Sequence, residues 1–200
     1  MKTTRLVAML AMAGASLFAG QSAAPQKATV NVCMETDPYM LIGVRPLASA
    51  MFASIGLRIA WHELDSCPAE VGAMQVRLSH DAPSIRNSAS EAALAFAQPY
   101  AGTIVVFIER VRQLHRNGTR LVMAHVLVHE ITHVLEGISR HSSTGIMKTQ
   151  WNKNDFFEMR RKPLPFAQED VNLIYDGLKV PRVAPAAVVI RAARAAVAGQ

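Results

Sequence analysis

The sequence is poor in cysteine and in charged residues, and each shortage excludes a class of protein. Two cysteines in 200 residues are too few for a disulfide-dense scaffold or for a zinc site made of four thiolates. A charged fraction of 18% beside a hydrophobic fraction of 50% excludes a mainly disordered chain. The composition is therefore that of a folded protein, and the length suits one compact domain.

The body of the chain also lacks an excess of positive charge, although the net charge of the whole sequence is +6. Lys2 and Arg5 lie near the N-terminus, and Arg182, Arg191 and Arg194 lie near the C-terminus. Of the 21 basic residues, removal of these five leaves 16 against 15 acidic residues. No basic surface remains to bind a phosphate backbone, and we expect no nucleic-acid partner.

The longest apolar stretch lies at the N-terminus and is too short to span a membrane. It runs over residues 6–19 and is 14 residues long, whereas a membrane-spanning helix needs about 20. Two basic residues precede it and small residues follow it, which is the pattern of a secretory signal at residues 1–24. A buried N-terminal helix is the alternative. We predict an exported protein, secreted or periplasmic, without a stable membrane anchor.

Export would place Cys33 and Cys67 in an oxidising compartment, where they could form a disulfide. Two buried free thiols are the alternative, because free cysteine is itself among the most buried residues. The spacing does not decide between them, since a disulfide depends on the distance between the two Cα atoms.

Residues 25–180 are expected to form one domain of the α/β (α+β) class. Alternating or β-branched segments predict strands at residues 28–35, 57–62, 73–78 and 103–111. Helices are predicted at residues 47–55, 119–136 and 169–178, with a loop-rich region at 140–162. The strand–helix–strand order at residues 28–62 implies that the first two strands pair in parallel. The Ala- and Arg-containing segment 181–200 is expected to be a flexible tail.

The motif that points to chemistry is His-Glu-x-x-His on the long, apolar helix at residues 119–136. His129 and His133 are four residues apart, so both imidazoles lie on one helix face and can bind one zinc ion. Glu130 projects beside the metal, where it can act on a water molecule. The alternative is a pair of structural histidines beside a surface glutamate. That alternative does not explain why a carboxylate lies on the most apolar helix, where burial without a partner or a function costs free energy.

A catalytic zinc site needs a third protein ligand, and the sequence after the helix offers one. Gly137 can adopt a positive φ and turn the chain back beneath the site. His141 follows four residues later and is the expected third ligand. A second turn then leads to Met147, which we expect to pack as an apolar floor beneath the ion.

At this point the chain resembles the metzincin zinc peptidases, in which the two helix histidines are followed by a glycine, a third histidine and a methionine turn. The resemblance implies a zincin-like fold: a twisted mixed sheet packed on helices, an active-site helix, and a small C-terminal subdomain with the methionine turn and a final helix. That final helix looks like the one in the matrixin-like branch. The implied roles are catalytic for Glu130, metal-binding for His129, His133 and His141, and structural for Met147.

The chain departs from the family in the spacing of the motif. Three residues separate His133 from Gly137, and three separate Gly137 from His141, where the family has two in each gap. The resulting HExxHxxxGxxxH pattern leaves an acidic third ligand open. Glu136, Glu158 and Glu169 are the alternatives to His141.

The resemblance implies a zinc-dependent endopeptidase that holds one catalytic ion and takes peptide or protein substrates. We also expect the chain to be a monomer. Glu130 would be the general base for the attacking water. In the family the substrate lies along an edge strand, and the strand at residues 103–108 is the candidate here. Its substrate-binding residues would be Thr103, Val105 and Phe107.

Three other functions use the same residues. A hydrolase of non-peptide amides would need the same zinc site. A non-catalytic binding protein with the same fold would not need Glu130. A structural zinc protein would close the fourth coordination position with cysteine or histidine.

Overall fold

The computed structural model describes residues 28–37, 42–68, 72–80, 93–114 and 118–180. The predicted signal at residues 1–24 and the predicted tail at 181–200 lie outside them. The strands in the described part are β1 (Thr29–Met34), β2 (Arg58–Glu63), β3 (Met74–Ser79), β4 (Ala95–Gln98) and β5 (Thr103–Phe107). The α-helices there are α1 (Val44–Ala53), α2 (Ile108–Leu114), α3 (Thr119–Glu136), α4 (Lys153–Met159) and α5 (Gln168–Gly177).

The five strands form one mixed sheet in the order β2-β1-β3-β5-β4. The first four in that order run parallel, and β4 pairs antiparallel with β5 at one edge. The predicted parallel pairing of the first two strands is confirmed, with Val32 opposite Trp61. The predicted fold class is confirmed as well, because a mixed sheet packs against helices.

The structure differs from the prediction at the fourth predicted strand, residues 103–111, and in the region predicted to be loop. β5 ends at Phe107, and Ile108 begins α2 rather than continuing the strand. Ile108 and Val111 lie three residues apart, so both reach the core from one face of a helix. Their β-branched side chains favoured a strand in the prediction, but the helix buries them equally well. α4 also forms inside the region that was predicted to be loop.

The strand assigned to substrate binding is not an edge strand. β5 pairs with β3 on one side and β4 on the other, so the backbone groups of Thr103, Val105 and Phe107 are used within the sheet. The prediction of an open edge at residues 103–108 is therefore wrong. β4 occupies the edge of the sheet next to β5. Its four residues, Ala-Phe-Ala-Gln, are too few and too weak in β-propensity for the sequence to predict a strand there.

α3 is the central helix of the core. Every residue from Val122 to Glu136 is buried, so the helix is enclosed around its whole circumference. It packs against α1, α5 and the β4 edge of the sheet. Burying this many apolar side chains, at about 1.5–3 kcal/mol each, fixes the helix firmly within the domain.

A disulfide joins Cys33 in β1 to Cys67, which follows β2, with the two Cα atoms 5.4 Å apart. It closes 34 residues of chain, for which the loop-entropy model gives a stabilisation of roughly 3–4 kcal/mol. In the part of the chain that is described, no helix combines the length and the apolar character needed to cross a membrane.

Candidate metal centre

His129 and His133 lie one turn apart on α3 with their rings edge to face. Their Nε2 atoms are 3.1 Å apart. Two donors on a tetrahedral zinc ion with bonds of about 2.0–2.1 Å lie about 3.3 Å apart, so the separation suits a shared ion. Both side chains are buried, and the helix alone sets their spacing.

His141 comes from the loop after α3 and completes a group of three imidazoles. Its ring centroid lies 5.2 Å from that of His129 and 4.9 Å from that of His133. One nitrogen of each ring lies within 4.8 Å of the other two. Gly137 ends the helix with φ of 72°, and no atom lies within 4 Å of where its Cβ would be, so backbone conformation rather than space favours glycine there.

Backbone carbonyls orient the two helix histidines. His129 Nδ1 donates to the carbonyl oxygen of Ile146 at 2.9 Å, and His133 Nδ1 donates to that of Ile138 at 3.2 Å. A neutral imidazole that donates from Nδ1 carries its lone pair on Nε2. The two Nε2 atoms that face each other are therefore available as metal ligands.

The same three rings are held in the neutral form that a metal requires. Burial, countered in part by the bond to Ile146, lowers the pKa of His129 to about 4. Burial and the nearby His141 lower the pKa of His133 to about 4. Burial, followed by the positive charge of Arg140, lowers the pKa of His141. Ligand deprotonation therefore does not limit metal binding at neutral pH.

Glu130 lies beside this group and is 8% exposed. Its carboxylate accepts a hydrogen bond from the backbone N–H of Ala97 in β4. Burial raises the pKa of Glu130 to about 8, and the Ala97 bond opposes part of that rise. A cation held by the neighbouring histidines would lower this pKa, since opposite charge favours the carboxylate. Glu130 is thus suited to exchange a proton near neutral pH.

Met147 is fully buried in the turn that follows His141. The turn is closed by the Ser142 N–H, which donates to the Met147 carbonyl at 2.8 Å, and by the Ile146 N–H, which donates to Pro165 at 2.9 Å. Gly145 has φ of 70°, and a Cβ there would lie 2.2 Å from the Pro165 carbonyl oxygen. The turn therefore requires glycine for both conformation and space.

The acidic alternatives to His141 lie outside the group of three histidines. Glu158 is half-buried and pairs with Arg161, and Glu169 is exposed and pairs with Arg140. Glu136 is buried at the end of α3, and neither of its carboxylate oxygens has a hydrogen-bond partner. Burial, followed by the negative charge of Asp170, raises the pKa of Glu136 to about 7.

Two side chains that look relevant to the site have structural partners. Both ring nitrogens of His125 are used, one toward the Leu121 carbonyl at 2.8 Å and one by the Leu164 N–H at 3.1 Å. Trp151 stands edge-on to His129 at 5.8 Å and donates to the Ile146 carbonyl at 3.3 Å. Trp151 therefore supports the same carbonyl that orients His129.

Sequence reasoning missed the backbone groups of the site. The Ala97 N–H and the carbonyls of Ile138 and Ile146 fix the functional side chains, yet any residue offers the same groups. No sequence signal identifies them before the fold is known.

No protein-family model matches the sequence, and no curated protein matches it. Among solved structures, the chain is similar to an archaemetzincin from Methanopyrus kandleri, with 13% identity and a TM-score of 0.54. That likeness covers 79% of this chain and 99% of the other. An archaemetzincin from Archaeoglobus fulgidus, in complex with malonate, has 14% identity and a TM-score of 0.43 and covers 72% and 99%. At such identity, the likeness to the first protein shows a shared zincin-like fold.

Proposed function

We propose that this protein is an exported zinc-dependent endopeptidase. The observation that carries the proposal is the convergence of three neutral imidazoles beside a buried glutamate. That glutamate, Glu130, does not belong to the group of candidate metal ligands. The fold shared with an archaemetzincin, a protein whose name refers to the metzincins, supports the same conclusion. The likeness to the matrixin-like branch remains a prediction from the final helix.

The donor set fits zinc. Three nitrogen donors from His129, His133 and His141 leave one position of a tetrahedral ion open, as catalytic zinc sites do. When bound, zinc supplies Lewis acidity, which lowers the pKa of water and polarises a carbonyl group. One ion per chain is proposed, because the described residues contain one such group of histidines.

Glu130 is the proton-transfer group of the proposed reaction. Its carboxylate takes a proton from the attacking water and delivers it to the nitrogen of the departing amine. The Ala97 N–H holds the carboxylate in place, so the base needs little reorganisation during the reaction. Such a group is not needed for metal binding alone, and this favours catalysis over a non-catalytic binding role.

β4 is the proposed substrate-binding strand. The Phe107 N–H donates to the Leu94 carbonyl, so alternate residues of β4 direct their backbone groups toward β5. By the same alternation Ala95 and Ala97 direct theirs away from the sheet, and the Ala97 N–H reaches Glu130. An extended peptide that pairs with this edge would lie next to the catalytic carboxylate.

Export belongs to the same proposal. The pattern of residues 1–24 supports export, and so does the Cys33–Cys67 disulfide, because such bonds are rare in reducing compartments.

Peptide cleavage by the mature chain with zinc tests the proposal. Glu130→Gln should retain about one zinc per chain and lose about 10²–10⁴-fold in turnover, the usual contribution of general acid–base catalysis. Glu158→Gln, which alters a glutamate on α4 outside the group of three histidines, is the matched control and should cleave like the wild type. Hydrolysis of small amides without peptide cleavage would replace the proposal with the amide-hydrolase alternative. Undiminished cleavage by Glu130→Gln would reject the role of Glu130.

A further inference from the structure

The two residues on either side of His141 are bound by one carboxylate. Arg140 donates from a guanidinium nitrogen to Oδ1 of Asp170 at 2.7 Å, and the Ser142 hydroxyl donates to the same oxygen. Arg140 and Ser142 also contact each other at 3.3 Å. Asp170 thus ties the backbone on both sides of His141 to a single point on α5.

Asp170 is itself held rigidly. Its side chain is fully buried in the first turn of α5, and its second oxygen accepts the Ala167 N–H at 3.1 Å. α5 in turn lies against α3, since a Cβ at Gly177 would come within 1.9 Å of the Leu135 carbonyl oxygen. Asp170 therefore belongs to the same packed unit as the helix that carries His129 and His133.

His141 needs such support more than the other two histidines do. Carbonyl oxygens orient the rings of His129 and His133, whereas no hydrogen bond between described residues holds the ring of His141. His141 is also the exposed member of the group. Seven residues separate it from His133, so a longer loop must be restrained than in the family it resembles.

We propose that Asp170 is a positioning residue that holds His141 at the metal site through Arg140 and Ser142. The proposal rests on the zinc site proposed above. The clamp formed by Asp170, Arg140 and Ser142 restrains the loop before the metal arrives, so less loop ordering opposes metal binding. It explains how the widened spacing is compatible with a three-histidine site.

The test is zinc affinity measured with a competing chelator, at a temperature where circular dichroism shows the metal-free proteins to be folded. Asp170→Asn leaves one acceptor oxygen where the wild type uses two. The zinc dissociation constant of this variant should rise about 10–100-fold, as is usual when a residue that supports a metal ligand is replaced. Glu169→Gln is the matched control, because Glu169 contacts the same Arg140 from an exposed position. Its zinc affinity should equal that of the wild type.

A second measurement separates positioning from general stability. In a His141→Ala background, Asp170→Asn should change zinc affinity no further, because the residue acts through His141. The visible absorption of the cobalt(II)-substituted protein should change in Asp170→Asn and stay unchanged in Glu169→Gln. Ser142→Ala, which keeps the ion pair between Arg140 and Asp170, should weaken zinc binding about twofold to tenfold. This variant carries the test if Asp170→Asn does not fold.

The outcomes are distinguishable. Tight zinc binding by the wild type together with unchanged affinity in Asp170→Asn and Ser142→Ala would overturn the clamp and leave the zinc site standing. An equal loss in Asp170→Asn with and without His141 would also overturn it. A wild-type protein that binds no zinc would overturn the proposed function as well.

Discussion

His129 and His133 are placed by the helix that carries them, whereas His141 is placed by contacts between its loop and other parts of the chain. In the helix, a spacing of four residues is enough to align two rings. In the loop, Gly137, Gly145 and the Asp170 clamp all contribute to the position of one ring. The comparison teaches that ligands on regular structure are specified locally, while a ligand on a loop depends on residues distant in sequence.

The largest expected effect is on zinc affinity and comes from removing a histidine on the helix. His133→Ala leaves two imidazoles and should weaken zinc binding on the order of 10³-fold, if roughly a third of a typical zinc-binding free energy is lost. His141→Ala should also weaken binding strongly, whereas Glu136→Ala should leave it nearly unchanged. Chelator competition at neutral pH measures all three. Weaker binding by Glu136→Ala than by His141→Ala would make Glu136 the third ligand.

A smaller effect is on the free energy of unfolding and comes from replacing the glycines of the loop. Gly145→Ala combines a positive φ with a 2.2 Å approach to Pro165 and should destabilise the protein by about 3 kcal/mol. Gly137→Ala has the positive φ without the close approach and should cost about 1–2 kcal/mol. Urea unfolding of both variants gives the two free energies. Equal losses would show that the turn at Gly145 moves to make room for the methyl group.

A third effect is pH-dependent and concerns Glu136, where the helix meets the loop. Its folded pKa of about 7 exceeds the unfolded value near 4.5, so ionisation destabilises the fold progressively between these two values. Glu136→Gln should therefore match the wild type below about pH 4. It should be more stable by up to about 2–3 kcal/mol above about pH 7. Urea unfolding of the metal-free proteins across this range measures the difference, and a constant difference would contradict the buried, unpaired carboxylate.

The same division explains what the sequence could predict. The bounds of α3 and the positions of His129, Glu130 and His133 follow from periodicity and from the glycine after the helix. His141 and Met147 could be proposed only because two glycines marked turns at suitable distances. The parallel pairing of β1 and β2 followed from the order of elements and a short connection.

Other features depend on contacts that no local pattern encodes. β4 is recognisable as a strand only when β5 lies beside it, and its presence moves the open edge away from Thr103, Val105 and Phe107. α4 begins with a capping box at Asn152 and Asp155, a signal that the polar surroundings of the segment obscured. Arg140 and Asp170 are 30 residues apart, so their ion pair is a property of the folded chain alone.

The hydrogen bond from Ala97 to Glu130 has a kinetic consequence. If β4 holds the substrate, the strand that aligns the peptide is also the strand that anchors the base. A displacement of this strand would then alter KM and kcat together. Steady-state kinetics of β4 variants should therefore show the two constants moving in concert, as expected when recognition and proton transfer share one backbone.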